Sequence, residues 1–466
     1  MKNIIRREFL DHVQSLQFVV LLVLSLILFA GNGLIFVKSY ADRTDAYQKK
    51  LAFMNNWKST VRLQLYRRPN PLVFIAEGGD NERPSEYYLL PKGTLSAGSL
   101  NLRGFKLPRV PTLDWAFIIG VLFSLYGILL GYNAISGEKE QGTLRLVLSN
   151  PLGRVKLLTS KYLSILLTLL VPLLAGAFIS LILVAAYLPQ VLILANISKA
   201  ALVFLLALAY ISLFVLLSLL FSAFLARSTL VLLALLAVWV AFAVVIPGCS
   251  AILVEKLSSA PREIQTARML EPTIQKEVGA RITEIGKKAE RGEFKTEDEV
   301  RAAADQVFED GGAKVNQFLE KFRRTQRQRL ETVRNLSRLS PAGLFQYAAE
   351  SLVQSGPGGE DQFLRQVQEY SRAYDAYILK KLGRVLQGSN ISFGDEVTFK
   401  GKVIRLDSPE PQEYEGDKSD FPLFAEQRVA LASSLKSALG DLVGLLVWNI
   451  LLGGLAFSAF LRTDVR

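Results

Sequence analysis

The sequence is short of the residues that metal and redox chemistry need: one cysteine, one histidine and three methionines in 466 residues. A lone Cys249 excludes an intrachain disulfide and any thiolate-only zinc or iron–sulfur site within one chain. A lone His12 excludes histidine-cluster metal sites and makes a His-dependent triad a poor reading. The chain contains no G-x-x-x-x-G-K-[ST] loop of the kind that cradles phosphates. At Gly401-Lys402, for instance, Val403 follows the lysine and Glu396 stands where the first glycine belongs. Charged residues are scarce too, at 21% against about 25% in soluble domains. The mean hydropathy is +0.29, so some segments must be almost purely apolar. Disordered and collagen-like chains are excluded on the same ground.

The apolar residues are gathered into six long runs. A helix needs about 20 mainly apolar residues to cross a hydrocarbon core of roughly 30 Å. Residues 18–37, 113–135, 157–188, 200–226, 230–254 and 439–461 each meet that requirement. Lipid leaves the backbone no partner but itself, so these runs predict helices. Lys2, Arg6 and Arg7 ahead of the first run resemble the start of a signal peptide. The run is too long for one, and no A-x-A site follows, so it reads as an uncleaved first helix.

Short loops fix the orientation by their Lys and Arg content. Lys2, Arg6, Arg7, Lys139, Arg145, Arg154, Lys156, Arg227, Arg462 and Arg466 lie on one side, whereas residues 189–198 opposite hold no Lys or Arg. Both termini are therefore expected in the cytoplasm of a plasma (bacterial inner) membrane, with residues 1–17 as an interfacial helix. Residues 38–112 and 255–435 fall outside. The fold class expected is a mainly α polytopic membrane protein with six transmembrane helices. Between spans 1 and 2 it carries a small α+β extracytoplasmic unit. Between spans 5 and 6 it carries a large, mostly helical extracytoplasmic domain.

Within residues 38–112, alternation at Val61, Leu63 and Leu65 predicts a strand. It is expected to pair as a hairpin with residues 72–77 across Arg68-Pro69-Asn70-Pro71. Within residues 255–435, apolar residues recur every three or four positions, from Ile264 to Ile285, from Val300 to Val307, and from Val315 to Leu336. They predict a helical hairpin or coiled-coil-like stalk, broken at Arg291-Gly292 and Gly311-Gly312. It is either a bundle packed on itself or a partner-binding coil. Ser340-Pro341 reads as the cap of a further short helix. A weak β segment follows at 391–393 and 397–406, then an acidic linker at 407–420.

Net charge is +12, which raises nucleic acid as a partner. Its distribution argues against that. Residues 255–435 hold 28 basic and 29 acidic residues, whereas residues 38–112 hold 13 and 6. The remaining excess belongs to spans, short loops and tails, where it marks topology. Contact with anionic membrane lipid is the expectation for the small basic unit.

The segment with chemical character is the cytoplasmic loop at residues 136–156. Glu138 and Glu140 precede a break at Gly142-Thr143, where Thr143 suits an N-cap. Leu144, Leu146, Val147 and Leu148, with Arg145 among them, continue as a short amphipathic helix. Asn150-Pro151 stops it, and Arg154 and Lys156 mark the membrane boundary. The dull reading is a charged boundary helix. The alternative is a handle that a soluble partner grips.

Glu138-Lys139-Glu140, Gly142-Thr143-Leu144, Leu148-Ser149, Pro151 and Arg154 together form E-K-E-x-G-T-L-x-x-x-L-S-x-P-x-x-R, which resembles the signature of ABC-2-type transporter permeases. Val147 departs conservatively from the leucine common there. The motif covers about 20 residues. The six-span order and the insertion between spans five and six are also similar, as are Ser340-Pro341 and the Leu461–Arg466 tail. The resemblance implies a permease dimer, homomeric or heteromeric, with each copy docking a cytoplasmic ABC ATPase subunit. No cofactor would be bound by this chain, and ATP and magnesium would sit in the ATPase. The coupling residues would be Glu138, Lys139, Glu140, Gly142, Thr143, Leu144, Arg145, Leu148, Ser149, Pro151 and Arg154, with the two glutamates facing the ATPase cleft.

Two other functions compete. One is a membrane scaffold whose stalk recruits an envelope protein. The other is an acyl enzyme built on Ser433-x-x-Lys436, against which stand the missing S-D-N and K-T-G partners. Small residues at Gly127 and Gly131, and at Gly440 and Gly444, suit close helix contact, within the chain or between copies. Asp114 and Asp441 read as wetted boundary residues, His12 as an interfacial surface residue, and Asn32 and Asn449 as bonded to neighbouring helices.

Overall fold

The computed structural model describes residues 2–56, 63–83, 85–90, 94–97, 112–149, 153–257, 260–382, 396–399, 402–405 and 421–462. Six of its helices are long and apolar enough to cross a membrane. Among the described residues, sheet is confined to five short strands. The first span helix is Leu16–Asn56 and continues well beyond its apolar run. The third, fourth and sixth are Arg154–Tyr187, Leu194–Phe224 and Leu431–Arg462. The second and fifth are each interrupted by one π-helical turn, at Ile119–Phe123 and Ala241–Val245.

A π turn leaves carbonyls without their usual partners, and side chains from other elements meet them here. Tyr210 Oη of span 4 donates to Gly120 O at 2.9 Å, and Ser340 Oγ donates to Phe242 O. Tyr210 is fully buried and stacks on Phe345 with ring centroids 4.5 Å apart. Phe345 belongs to the helix Pro341–Val353, capped by Ser340 Oγ accepting from Ala342 N. This helix packs against spans 4 and 6 and joins the same apolar core as the spans.

Gly131 lies where span 2 crosses span 4. A Cβ there would fall 1.8 Å from Ser218 Oγ, and one at Gly127 would fall 3.5 Å from Val215. Gly444 meets Leu344 in the same way, so Gly127, Gly131 and Gly444 serve packing within the chain, whereas a Cβ at Gly440 would meet nothing within 4 Å. Gly131→Val should lower the thermal unfolding midpoint in detergent, at a cost of about 1–3 kcal/mol from overpacking. An unchanged midpoint would show that spans 2 and 4 are not in close contact.

The strand Leu63–Tyr66 (β1) pairs antiparallel with Glu86–Leu90 (β2), which pairs with Thr94–Ala97 (β3). This corrects the hairpin expected with residues 72–77. Those residues form a buried apolar turn wedged among the spans instead. Phe74 O accepts from Asn32 Nδ2 at 3.1 Å and from Trp115 N at 3.1 Å, and Ile75 O accepts from Ala116 N at 2.9 Å. Asp114 is buried rather than wetted. It caps span 2 through Phe117 N at 2.7 Å and also accepts from Glu77 N at 2.8 Å. Asp441 is only 1% exposed and is held by Arg338 at 2.6 and 3.1 Å. Asn449 bonds to span 4, donating to Ala209 O and accepting from Ser212 Oγ.

The helices Ala260–Glu290 and Glu297–Ser337 form a hairpin turning at Gly292, whose φ is +73°. Its seam joins Ile274, Val278 and Ile282 to Val300 and Val307, with Val397 and Phe399 of the strand hairpin Glu396–Phe399 (β4) and Lys402–Arg405 (β5) laid on it. Gly311 and Gly312 do not break the second helix. A Cβ at Gly311 would fall 2.7 Å from Val278 Cγ2, so this glycine permits close helix approach. Residues 391–393 and 407–420 lie outside the described residues. The helix Pro357–Leu382 packs Phe363, Val367 and Tyr374 against Leu65 and Tyr87 of the three-stranded sheet, joining the two insertions in one apolar cluster.

Candidate functional site

The loop after span 2 is two short helices, Ser136–Glu140 and Thr143–Ser149. They meet at Gly142, which has φ +69° and no heavy atom within 4 Å of where a Cβ would lie. Only a residue free of the Cβ penalty adopts this left-handed elbow cheaply. Thr143 does not act as the expected N-cap: its Oγ1 donates to Glu138 O at 3.4 Å.

Behind the elbow several polar groups are tied to the ends of spans. Ser222 Oγ, at the end of span 4, accepts from both Ile135 N and Ser136 N at 2.9 Å. Lys139 Nζ donates to the Ala223 carbonyl. Glu140 accepts from Ser228 N at 2.8 Å and from Ser228 Oγ at 2.9 Å. It thereby caps span 5 with a carboxylate at the positive end of the helix dipole. Arg154, the first residue of span 3, donates to Leu461 O at the end of span 6.

The strongest tie was not readable from sequence. Lys161, one turn or two inside span 3, has a side chain only 5% exposed. Its Nζ stands 2.8 Å from Glu8 Oε1 and 2.7 Å from Glu138 Oε1. Glu8 belongs to the helix Lys2–Val13 that leads to span 1. One buried cation thus joins the N-terminal helix, the loop and span 3. Ser164 Oγ adds a 3.3 Å contact to Glu8 Oε2. A lysine near the end of an apolar run looks like any boundary lysine, so nothing in the spacing marked it.

The exposed face is narrower than the motif. Gln141, Gly142 and Arg145 are exposed, and Leu146 is 69% exposed, while Leu144 turns inward at 4%. Glu138 points into the bundle, whereas Glu140 is also exposed, its carboxylate lying on Ser228 of span 5. Leu148 and Ser149 lie in the second short helix, with side chains outside the described residues, and Pro151 lies outside them altogether. Among the described residues no group of three or more His, Cys, Asp or Glu is placed to hold a metal.

His12, close to this cluster, is half-buried. Burial holds its imidazole below the ordinary value of 6.5; Glu8 opposes that, Lys161 adds to it, and Asp11 opposes it. The neutral form is therefore favoured in the folded chain. Stability from this group is complete above about pH 6.5 and is lost as pH falls through the depressed pKa. A thermal-unfolding series from pH 7.5 to 5 should show a fall that His12→Gln reduces. Identical pH profiles would refute it.

Six apolar span helices with a helical insertion packed onto them define an integral membrane protein. The family model described as ABC-2 family transporter protein matches residues 2–465, and the chain belongs to that family. It is 35% identical over 99 residues to the "Probable ABC transporter permease protein NosY" of Pseudomonas aeruginosa. That match spans 21% of this chain and 35% of the relative's length.

Proposed function

We propose that this chain is the permease subunit of an ATP-driven ABC-2-type transporter. In this reading a separate cytoplasmic ABC ATPase grips the elbow at Gln141–Leu146 and supplies ATP hydrolysis. The observation that carries it is the anchoring of residues 135–161 to the N-terminal helix and to the ends of spans 4, 5 and 6, through Glu8, Ser222, Ser228 and Leu461. An exposed handle so anchored passes a push to the whole bundle instead of bending alone. The moving unit is then a rigid lever between two states. Both termini and the elbow lie in the cytoplasm, the two long insertions lie outside, and two copies assemble with two ATPase subunits. The glutamates of the motif hold the handle in place: Glu138 fixes it to span 3 from within, and Glu140, at the exposed surface, fixes it to span 5.

The test is ATP turnover by the cognate ATPase, alone and with the chain in nanodiscs. The reading expects turnover to respond to the chain, and Gly142→Val to weaken that response. Forcing a β-branched residue into the left-handed elbow costs roughly 1–2 kcal/mol while touching nothing else. A stable complex with turnover indifferent to the chain would overturn coupling.

A further inference from the structure

At the opposite end of the bundle a cleft of about 90 Å³ opens where spans 4 and 6 begin. Four cations line it, Arg67, Arg68, Lys199 and Arg428, against a single carboxylate, Glu426. Lys199 sits in the first turns of span 4 and is only 7% exposed. Its Nζ meets the Val429 carbonyl at 3.3 Å, a long contact for an ammonium. Glu426 spends one oxygen on Arg68 N at 2.9 Å, and Arg67 is held by Asp80 at 3.1 Å. Burial, then the neighbouring Arg68, press the Arg428 guanidinium below its usual value, while Tyr40 and Glu426 oppose this.

Lys199, Arg68 and Arg428 therefore converge with too little negative charge to balance them. A second cleft of about 260 Å³ shares Arg67 and Arg68 and adds Arg43, Lys50 and Arg83. There Lys50 is paired with Glu86, and Arg83 lies 3.7 Å from both Asp80 and Glu360. Among the described residues Arg43 there bonds only to Ser39, so both clefts keep spare charge, and the first is the one that opens at the starts of two spans. Like charges gathered in a partly enclosed site repel one another, and an anion with several acceptor oxygens relieves that repulsion. Its position, level with the starts of two spans, is the depth of a lipid headgroup.

We infer that the Arg68–Lys199–Arg428 cleft binds a phosphate-bearing anion at the membrane boundary. Arg68 and Arg428 present planar forks to its oxygens, and Lys199 supplies the charge at the cleft floor. The site stands apart from the proposed ATPase contact and does not depend on it.

The experiment titrates the detergent-purified full chain with three probes: short-chain phosphatidylglycerol, phosphatidylcholine of the same chain length, and pyrophosphate. Phosphatidylglycerol or pyrophosphate should bind, more tightly than the net-neutral phosphatidylcholine. Lys199→Gln with Arg428→Gln should weaken that binding by at least about tenfold, one charge-assisted contact's worth. Lys199→Arg should retain most of it, and Lys288→Gln on the distant helical hairpin should change nothing. Binding of the lipid alone assigns the site to a headgroup, and binding of pyrophosphate alone assigns it to a soluble phosphate. If the double variant does not fold, Arg68→Gln, at an exposed position, should still weaken binding severalfold. Absence of anion binding, or equal binding by the folded variants and the parent chain, would overturn the assignment.

Discussion

Lys161→Met is expected to destabilise the chain by about 3 kcal/mol, the scale for removing one partner of a buried charge cluster. Methionine keeps most of the side-chain volume, so packing changes little. What is lost is the ammonium that neutralises two carboxylates, Glu8 and Glu138, whose side chains are 22% and 24% exposed. They would face each other across a low-dielectric gap. The deficit should shrink when Glu8→Gln and Glu138→Gln are added, because no uncompensated charge then remains. Lys161→Arg should fall between parent and Lys161→Met, since a guanidinium restores the charge but not the shape. Thermal unfolding in detergent measures the three variants against the parent. Equal midpoints for Lys161→Met and the parent would show that the triad does not hold the loop.

Leu146→Asp is expected to weaken ATPase binding by roughly 30-fold or more, that is about 2 kcal/mol, since a charge would be buried at the contact. Leu146 is 69% exposed, so the chain's own stability should move by no more than about 0.5 kcal/mol. That separation matters. Glu138→Ala or Glu140→Ala would also disturb binding, but each removes an anchor inside the chain and confounds contact with folding. Arg145→Ala, on the same exposed face, should cost less than Leu146→Asp. A binding titration of ATPase onto the chain in nanodiscs decides it. Undiminished affinity for Leu146→Asp would place the ATPase elsewhere.

The spans were legible because an apolar run of their length has no other stable outcome in lipid. The elbow was legible because Gly142 between two short helical stretches has a backbone reason to be glycine. Residues 72–76 were not. Leu72-Val73-Phe74-Ile75-Ala76 fits a strand as well as a buried turn, and the deciding partners, Asn32 and the start of span 2, lie far away in sequence. Asp114 and Asp441 misled for a similar reason. An acid at the edge of an apolar run reads as wetted unless its partner is known, and those partners are Glu77 N and Arg338. The direction of Glu138 depended on Lys161, which spacing alone did not single out. Motif spacing located the loop and its glycine elbow but not which of its side chains face inward.

The proposed contact is an ATPase gripping the elbow of a lever tied to the N-terminal helix and to spans 4, 5 and 6. Cys249 is the one cysteine in the chain, so Cys249→Ser provides a thiol-free background. Adding Leu146→Cys and labelling it with a photoactivated maleimide crosslinker, with the cognate ATPase bound, reads the contact directly. The account predicts an adduct with the ATPase from position 146, and none from Leu339→Cys at the opposite end of the bundle. No adduct from 146 in a complex that retains ATP turnover would contradict it.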